Sequence, residues 1–184
     1  MKKSMTASLA ECSLMLALAV ILSLITVYQL PYGGSITLFS MVPILYVSFF
    51  YPLRWAALTA GAFALLQMLF AFYPPPAQGI GMFAAVVMLD YLLAFGVLGF
   101  AGCFGRLLQG VKRLLIGGSL ALIGRFLCHF VSGIFVWGAL APEGQPVALY
   151  SFLYNGSFML GEWLLTMAAL AALHKLPIKK GGLP

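Results

Sequence analysis

Apolar residues run along this chain in six long blocks, roughly 9–28, 35–51, 55–72, 80–105, 111–139 and 148–174, separated by short stretches of Gly, Pro and charge. Each block approaches the ~20 residues that a helix needs to cross a bilayer. The pattern predicts an all-α membrane protein of six transmembrane helices, organised as a single domain over 1–184. The second block is short and the fourth and fifth are long, which predicts tilt or kinks. Met1, Lys2 and Lys3 ahead of an apolar run resemble a signal peptide, yet no small-residue cleavage pattern follows. The first block is therefore expected to remain as the first helix. No repeat is visible along the chain.

Composition agrees with that reading. Of 184 residues, 63% are hydrophobic and 8% charged, against ~25% charged in a soluble domain. Such a chain cannot cover a water-facing surface, and the bilayer is its expected surroundings. The net charge of +6 invites a nucleic-acid reading, but the basic residues form no stripe. Lys2, Lys3, Arg54, Arg106, Lys112, Arg113, Lys175, Lys179 and Lys180 all fall on one side if both termini are cytoplasmic. The loops on the other side hold only Glu143. The excess of Lys and Arg in cytoplasmic loops then sets the orientation. Cys12, Cys103 and Cys128 lie scattered inside apolar blocks and read as packing thiols, not as a disulfide or metal set.

Polar groups inside the blocks need a reason, and they cluster. Arg125, His129, Gly133 and Trp137 recur every four residues, along one slowly twisting helical face. Beyond a loop with Pro142, Gly144 and Pro146, the sixth block carries Tyr150, Asn155 and Glu162, the last two on one face. Counting inward from the ends of the blocks places Asp90 level with His129, ten residues or ~15 Å down, and Glu162 level with Arg125. A binding site for a small polar cation is the reading that unites them.

Plainer readings stand beside it. Arg125 and Glu162 are expected to neutralise one another as an ion pair between helices, or else to touch solute. Asp90 is protonated, shares its charge with His129, or meets a ligand cation. His129 alone would serve equally well as a donor between helices. Trp137 and Tyr150 also suit an interfacial aromatic belt, and Gln67 suits hydrogen-bonding glue between helices. The stretch Tyr73 to Gly81, with Pro74, Pro75 and Pro76, is an irregular outer loop, either connector or lid. In the first helix Ser13 and Ala17, with Ala10 on the same side, form a small-residue face that admits another helix.

Catalytic and nucleotide signatures are missing: no G-x-x-x-x-G-K-[ST] loop and no H-E-x-x-H. His129 and Ser132 at i,i+3 are weak evidence for a nucleophile. The chain cannot hydrolyse ATP by itself, and neither a cofactor nor a metal is expected.

Several stretches resemble one family. They are the ALA of the first helix, YGG followed by VPI between Tyr32 and Ile44, DY at Asp90 and Tyr91, HFVSGIFVW from His129 to Trp137, and YSFLYNG from Tyr150 to Gly156. The chain resembles the thiamine-specific substrate-binding (S) components of energy-coupling factor transporters. The resemblance implies a six-helix protein that captures vitamin B1 from outside and docks on a transmembrane coupling subunit carrying two ATPase subunits. It implies substrate contacts at Asp90, Tyr91, His129, Gly133, Trp137, Tyr150 and Asn155, with Arg125 one turn before the histidine. Ser13 and Ala17 fall where the family's small-residue motif meets the coupling subunit. Two positions depart: Asp90 stands where glutamate is expected, and Gly34 where a tryptophan is expected. Stacking would then come from elsewhere, with Tyr32 and Tyr73 as candidates. From other classes, a stand-alone proton-coupled carrier with Asp90 or Glu162 titrating, or a membrane enzyme using His129, remain as alternatives.

Overall fold

The computed structural model describes residues 4–175, so Lys2, Lys3, Lys179 and Lys180 lie outside the described residues. Helix α1, Met5–Leu24, begins at Ser4, whose side chain accepts from the Ala7 N–H at 3.1 Å. This cap satisfies one of the donors that a first turn leaves over. The β-branched run Ile25-Thr26-Val27 then turns the chain into strand β1, Thr26–Gln29, which pairs antiparallel with β2, Ser35–Thr37. This hairpin corrects the expectation of a helix over 35–51. Only α2, Met41–Phe50, is helical there, and its 10 residues span ~15 Å, about half a hydrocarbon core.

Pro52 ends α2, because a residue preceding proline is driven out of the helical region; Tyr51 is extended, with φ −125° and ψ 156°. Helix α3, Leu53–Ala71, follows directly. Helix α4, Ile80–Phe104, is a composite. It is α-helical to Val86, π-helical over Val87–Leu93, and winds into a 3-10 turn over Val97–Phe100. Ser48 of α2 supports the tightened part, donating to the Gly99 carbonyl at 2.8 Å and accepting from the Gly102 N–H at 2.9 Å. Helix α5, Gly110–Phe135, stops short of the expected 139, and a 3-10 turn over Gly138–Leu140 follows. Helix α6, Val147–His174, completes the described part.

Five of these helices are long and apolar enough to cross a membrane, and α2 is the short sixth. Large side chains such as Phe49, Phe63, Leu98 and Leu122 are fully buried between them, whereas Leu14, Ile21, Leu58 and Leu164 are exposed, as suits a surface solvated by lipid tails. Helix α5 approaches α4 closely at Gly117: a Cβ there would lie 2.9 Å from the Phe49 ring and against the Ala101 carbonyl. Small residues are what permit such approach where helices pack without a hydrophobic drive.

The hairpin does not float above the bundle. Thr37 meets Glu162, fifteen residues into α6, or ~22 Å along its axis. The chain thus descends beside α6 in extended form before α2 carries it onward. Extended backbone at that depth requires partners from the protein or a water-filled cavity, and α6 supplies them.

Candidate functional site: a cavity between the hairpin and helices α3 to α6

The cavity is lined by the hairpin, by α2 to α6 and by the loop after α3. It runs from Leu140 and Tyr150, near the start of α6, to Glu162 and Met41. Its centre is Asp90, on the π-helical stretch of α4. A π turn is a wide turn, found frequently at functional sites, and here it brings the neighbours Asp90 and Tyr91 to the same cavity.

Three donors converge on the Asp90 carboxylate. His129 Nδ1 lies 3.0 Å from Oδ1, while Ser132 Oγ at 2.6 Å and Trp137 Nε1 at 3.0 Å donate to Oδ2. Charge-assisted hydrogen bonds of this kind hold a carboxylate firmly. The depth count that paired Asp90 with His129 therefore agrees with the geometry. Ser132 spends its hydroxyl on Asp90, not on His129, so the two form no nucleophile–base pair. The indole of Trp137 is fixed as a wall, with the Tyr73 ring 5.8 Å away at 50°. His129 stands edge-on to Phe158 at 5.8 Å, and its Nε2 is buried without a partner.

Tyr91 works on the cavity rim. Its hydroxyl donates to the Ala71 carbonyl at 2.9 Å and accepts from the Tyr73 N–H at 3.1 Å. It thereby ties the end of α3, and the loop beyond it, to α4. Gly133 lies where α5 crosses α6: a Cβ would collide with Ser151 Oγ and lie 2.9 Å from Asn155 Nδ2. Asn155 Nδ2 is engaged by the His129 carbonyl at 3.2 Å and by Ser151, so its Oδ1 is the end left over. Tyr150 stacks on Tyr154 with centroids 5.9 Å apart.

Arg125 and Glu162 line the same cavity without forming the direct ion pair expected of them. Arg125 donates to Met41 Sδ at 3.1 Å and lies 4.4 Å over the Phe95 ring, a cation–π contact. Glu162, 1% exposed, accepts from the Thr37 N–H at 2.6 Å and from its hydroxyl at 2.7 Å. The reason is the hairpin: its buried donors need an acceptor at that level, and Glu162 is the one that faces them. Gln67 also departs from expectation: among the described residues it makes no hydrogen bond to another helix, and it lines the cavity.

Residues that sequence reasoning missed lie mostly on α6. Tyr154 accepts from the Gly34 N–H at 3.0 Å and donates to the Pro31 carbonyl. A Cβ at Gly34 would lie 2.8 Å from the Tyr154 hydroxyl and 2.9 Å from Phe158. The place of the expected tryptophan is therefore already filled from α6. Tyr32 and Tyr73 both line the cavity, edge to face at 6.5 Å. The signal was available: Tyr150, Tyr154, Phe158 and Glu162 recur every four residues, as the residues of α5 do. On α1, Ala10, Ser13 and Ala17 are all exposed.

Comparison with known proteins bears on this architecture. The family model described as Thiamine transporter protein (Thia_YuaJ) matches residues 9–180. This chain belongs to that family. It is 32% identical over 188 aligned positions to the thiamine transporter ThiT of Bacillus subtilis strain 168, covering 90% of this chain and 88% of that one. A ThiT of Lacticaseibacillus paracasei is 29% identical over 108 positions, covering 53% of this chain and 50% of that one. Among solved structures, ThiT from Listeria monocytogenes superposes with a TM-score of 0.71 at 24% identity, covering 92% of this chain and 94% of that one. The S component of a bacterial ECF transporter superposes at 0.66 and 20% identity, covering 94% and 95%. The family is one of transporters, not of enzymes, and its fold is that of the multi-pass membrane protein described above.

Proposed function

We propose that this chain binds thiamine from outside the cell membrane and delivers it inward as the S component of an energy-coupling factor transporter. The observation that carries the reading is the Asp90 carboxylate, held in place by three donors within a cavity walled by aromatic rings. Thiamine combines a permanent thiazolium charge with a flat aminopyrimidine and a hydroxyethyl tail. Asp90 supplies the negative charge for the cation, and Trp137, Tyr73 and Tyr150 supply ring faces. Asn155 Oδ1 and Arg125 offer an acceptor and donors for the polar edges, His129 holds the Asp90 carboxylate in place, and Tyr91 and Gly133 set the shape of the walls.

Energy for transport comes from partners. The chain carries no phosphate-binding loop, so a transmembrane coupling subunit with two ATPase subunits supplies the work. The exposed face of Ser13 and Ala17 is where the coupling subunit docks. Both termini are cytoplasmic, which gathers Arg54, Arg106, Lys112, Arg113 and Lys175 on the inner side. Calorimetry of the purified chain with thiamine tests the reading: one-to-one binding without ATP or metal is expected. No binding at millimolar thiamine would end it.

A further inference from the structure

Two side-chain carboxamides line the cavity, Asn155 on α6 and Gln67 on α3. They are not equivalent. The Asn155 amide nitrogen is engaged by the His129 carbonyl and by the carbonyl and hydroxyl of Ser151, which leaves that residue an acceptor only. Gln67 lines the cavity, has no hydrogen-bond partner among the described residues, and its amide atoms are not sealed inside the protein. A polar side chain on a membrane helix is costly unless something serves it. Its four neighbours in each direction along α3 are Phe63, Ala64, Leu65, Leu66, Met68, Leu69, Phe70 and Ala71, none of which can. The free carboxamide is thus presented to whatever occupies the cavity.

A carboxamide offers one acceptor and two donors in a plane. Its natural complement is a flat ring edge that presents an amino group beside an unprotonated ring nitrogen, the pairing by which Asn and Gln read adenine. The aminopyrimidine of thiamine carries that edge. Asp90, with three donors already on its carboxylate, provides charge, but it has no donor for a ring nitrogen. Gln67 has both.

We infer that Gln67 is a specificity-determining residue that reads the aminopyrimidine edge through paired hydrogen bonds. This rests on thiamine being the ligand. It assigns the two halves of the molecule to different walls, the cation to Asp90 on α4 and the amino edge to Gln67 on α3.

A cycle in which protein and ligand are each altered tests the assignment. Thiamine and an analogue with hydrogen in place of the exocyclic amino group are titrated into the wild-type chain, Gln67→Met and Gln67→Leu. In the wild-type chain, losing the amino group should weaken binding ~10- to 100-fold, the range of one good bidentate pair. In both variants the same ligand change should cost less than a few-fold, because the paired group is already gone. Equal penalties in all three proteins would overturn the assignment. Since Gln67 has no protein partner, both apolar variants should melt no lower than wild type; a melt much below it would show Gln67 to be structural and overturn the proposal. Failure of the wild-type chain to bind thiamine at all is a different result and removes the underlying reading instead.

Discussion

Thr37 and Glu162, 125 residues apart in sequence, are joined by two hydrogen bonds of 2.6 and 2.7 Å to a single carboxylate oxygen. The contact explains why α2 is short. An extended segment beside α6 exposes N–H groups that a bilayer cannot serve, so an anionic acceptor is placed opposite. Ser40 extends the link, its hydroxyl 2.6 Å from that of Thr37. Higher on the same face, Tyr154 takes the Gly34 N–H and reaches the Pro31 carbonyl. Helix α6 is the rail to which the hairpin is fastened, and the hairpin is one wall of the cavity.

Glu162→Met should therefore destabilise the protein more than Glu162→Gln. Methionine fills the space but leaves the Thr37 N–H without its acceptor, at ~1–3 kcal/mol for a stranded group, while the Thr37 hydroxyl can turn to Ser40. Glutamine retains one carbonyl oxygen where Glu162 Oε1 stands and keeps most of the link. Thermal unfolding of the purified chains in detergent should rank wild type above Gln and Gln above Met. If the Met variant melts with wild type, the Thr37 contact contributes nothing to stability.

Gly133 offers a test of the α5–α6 crossing. Gly133→Ala pushes a methyl group into Ser151, which is itself fully buried and donates to the Phe130 carbonyl at 2.7 Å. The helices must separate, and Asn155 moves with them. Thiamine affinity should fall at least ~10-fold, on the scale of the 1–3 kcal/mol that overpacking costs. Adding Ser151→Gly should restore much of it by removing the obstructing atoms. Should the double variant bind no better than Gly133→Ala, the collision is not what impairs the site.

The sequence exposed this architecture unevenly, for physical reasons. Long apolar blocks announce membrane helices because lipid admits little else, and α3, α4 and α6 lie within two residues of their expected bounds. Counting residues along helices brought Asp90 level with His129, because the π turn that carries Asp90 and the early end of α5 shift the count by less than a turn or two. The same count put Arg125 level with Glu162, but level is not contact. An extended segment inside the block 35–51 took the carboxylate first, and an apolar block does not reveal whether its backbone is helical. Thr37 could not be placed at that depth without knowing that the chain dips in as a strand. Gln67 is ambiguous for a related reason: a carboxamide that glues helices and one that lines a cavity look alike until its neighbours are known.

The docking face is the subject of a transport test. Ser13→Trp and Ala17→Trp put large rings on an exposed strip of small residues, where close approach of another helix supplies the packing contacts. Neither position lines the cavity, so thiamine binding by the purified chain should match wild type. Uptake in cells that provide the coupling and ATPase subunits should be lost. Full uptake by both variants would place the docking surface elsewhere.

Asp90→Asn isolates the charge that the proposed function assigns to the thiazolium. The hydrogen-bond pattern allows the exchange. The amide oxygen can stand at Oδ2, where Ser132 and Trp137 both donate, and the amide nitrogen can face His129. The imidazole then accepts through Nδ1 and carries its proton on Nε2. Shape and bonding survive while the negative charge goes. A charge-assisted contact in a partly dry site is worth ~1.5–3 kcal/mol, so thiamine affinity should drop roughly 10- to 150-fold. A neutral analogue without the thiazolium charge should bind the variant and wild type alike. Fluorescence provides the control: Trp137 forms a cavity wall, so quenching by bound thiamine should persist in Asp90→Asn at saturation and vanish in Trp137→Phe. Equal weakening of charged and neutral ligands would show that Asp90 only holds His129, Ser132 and Trp137 in place, and the cation would then have to lie elsewhere in the cavity.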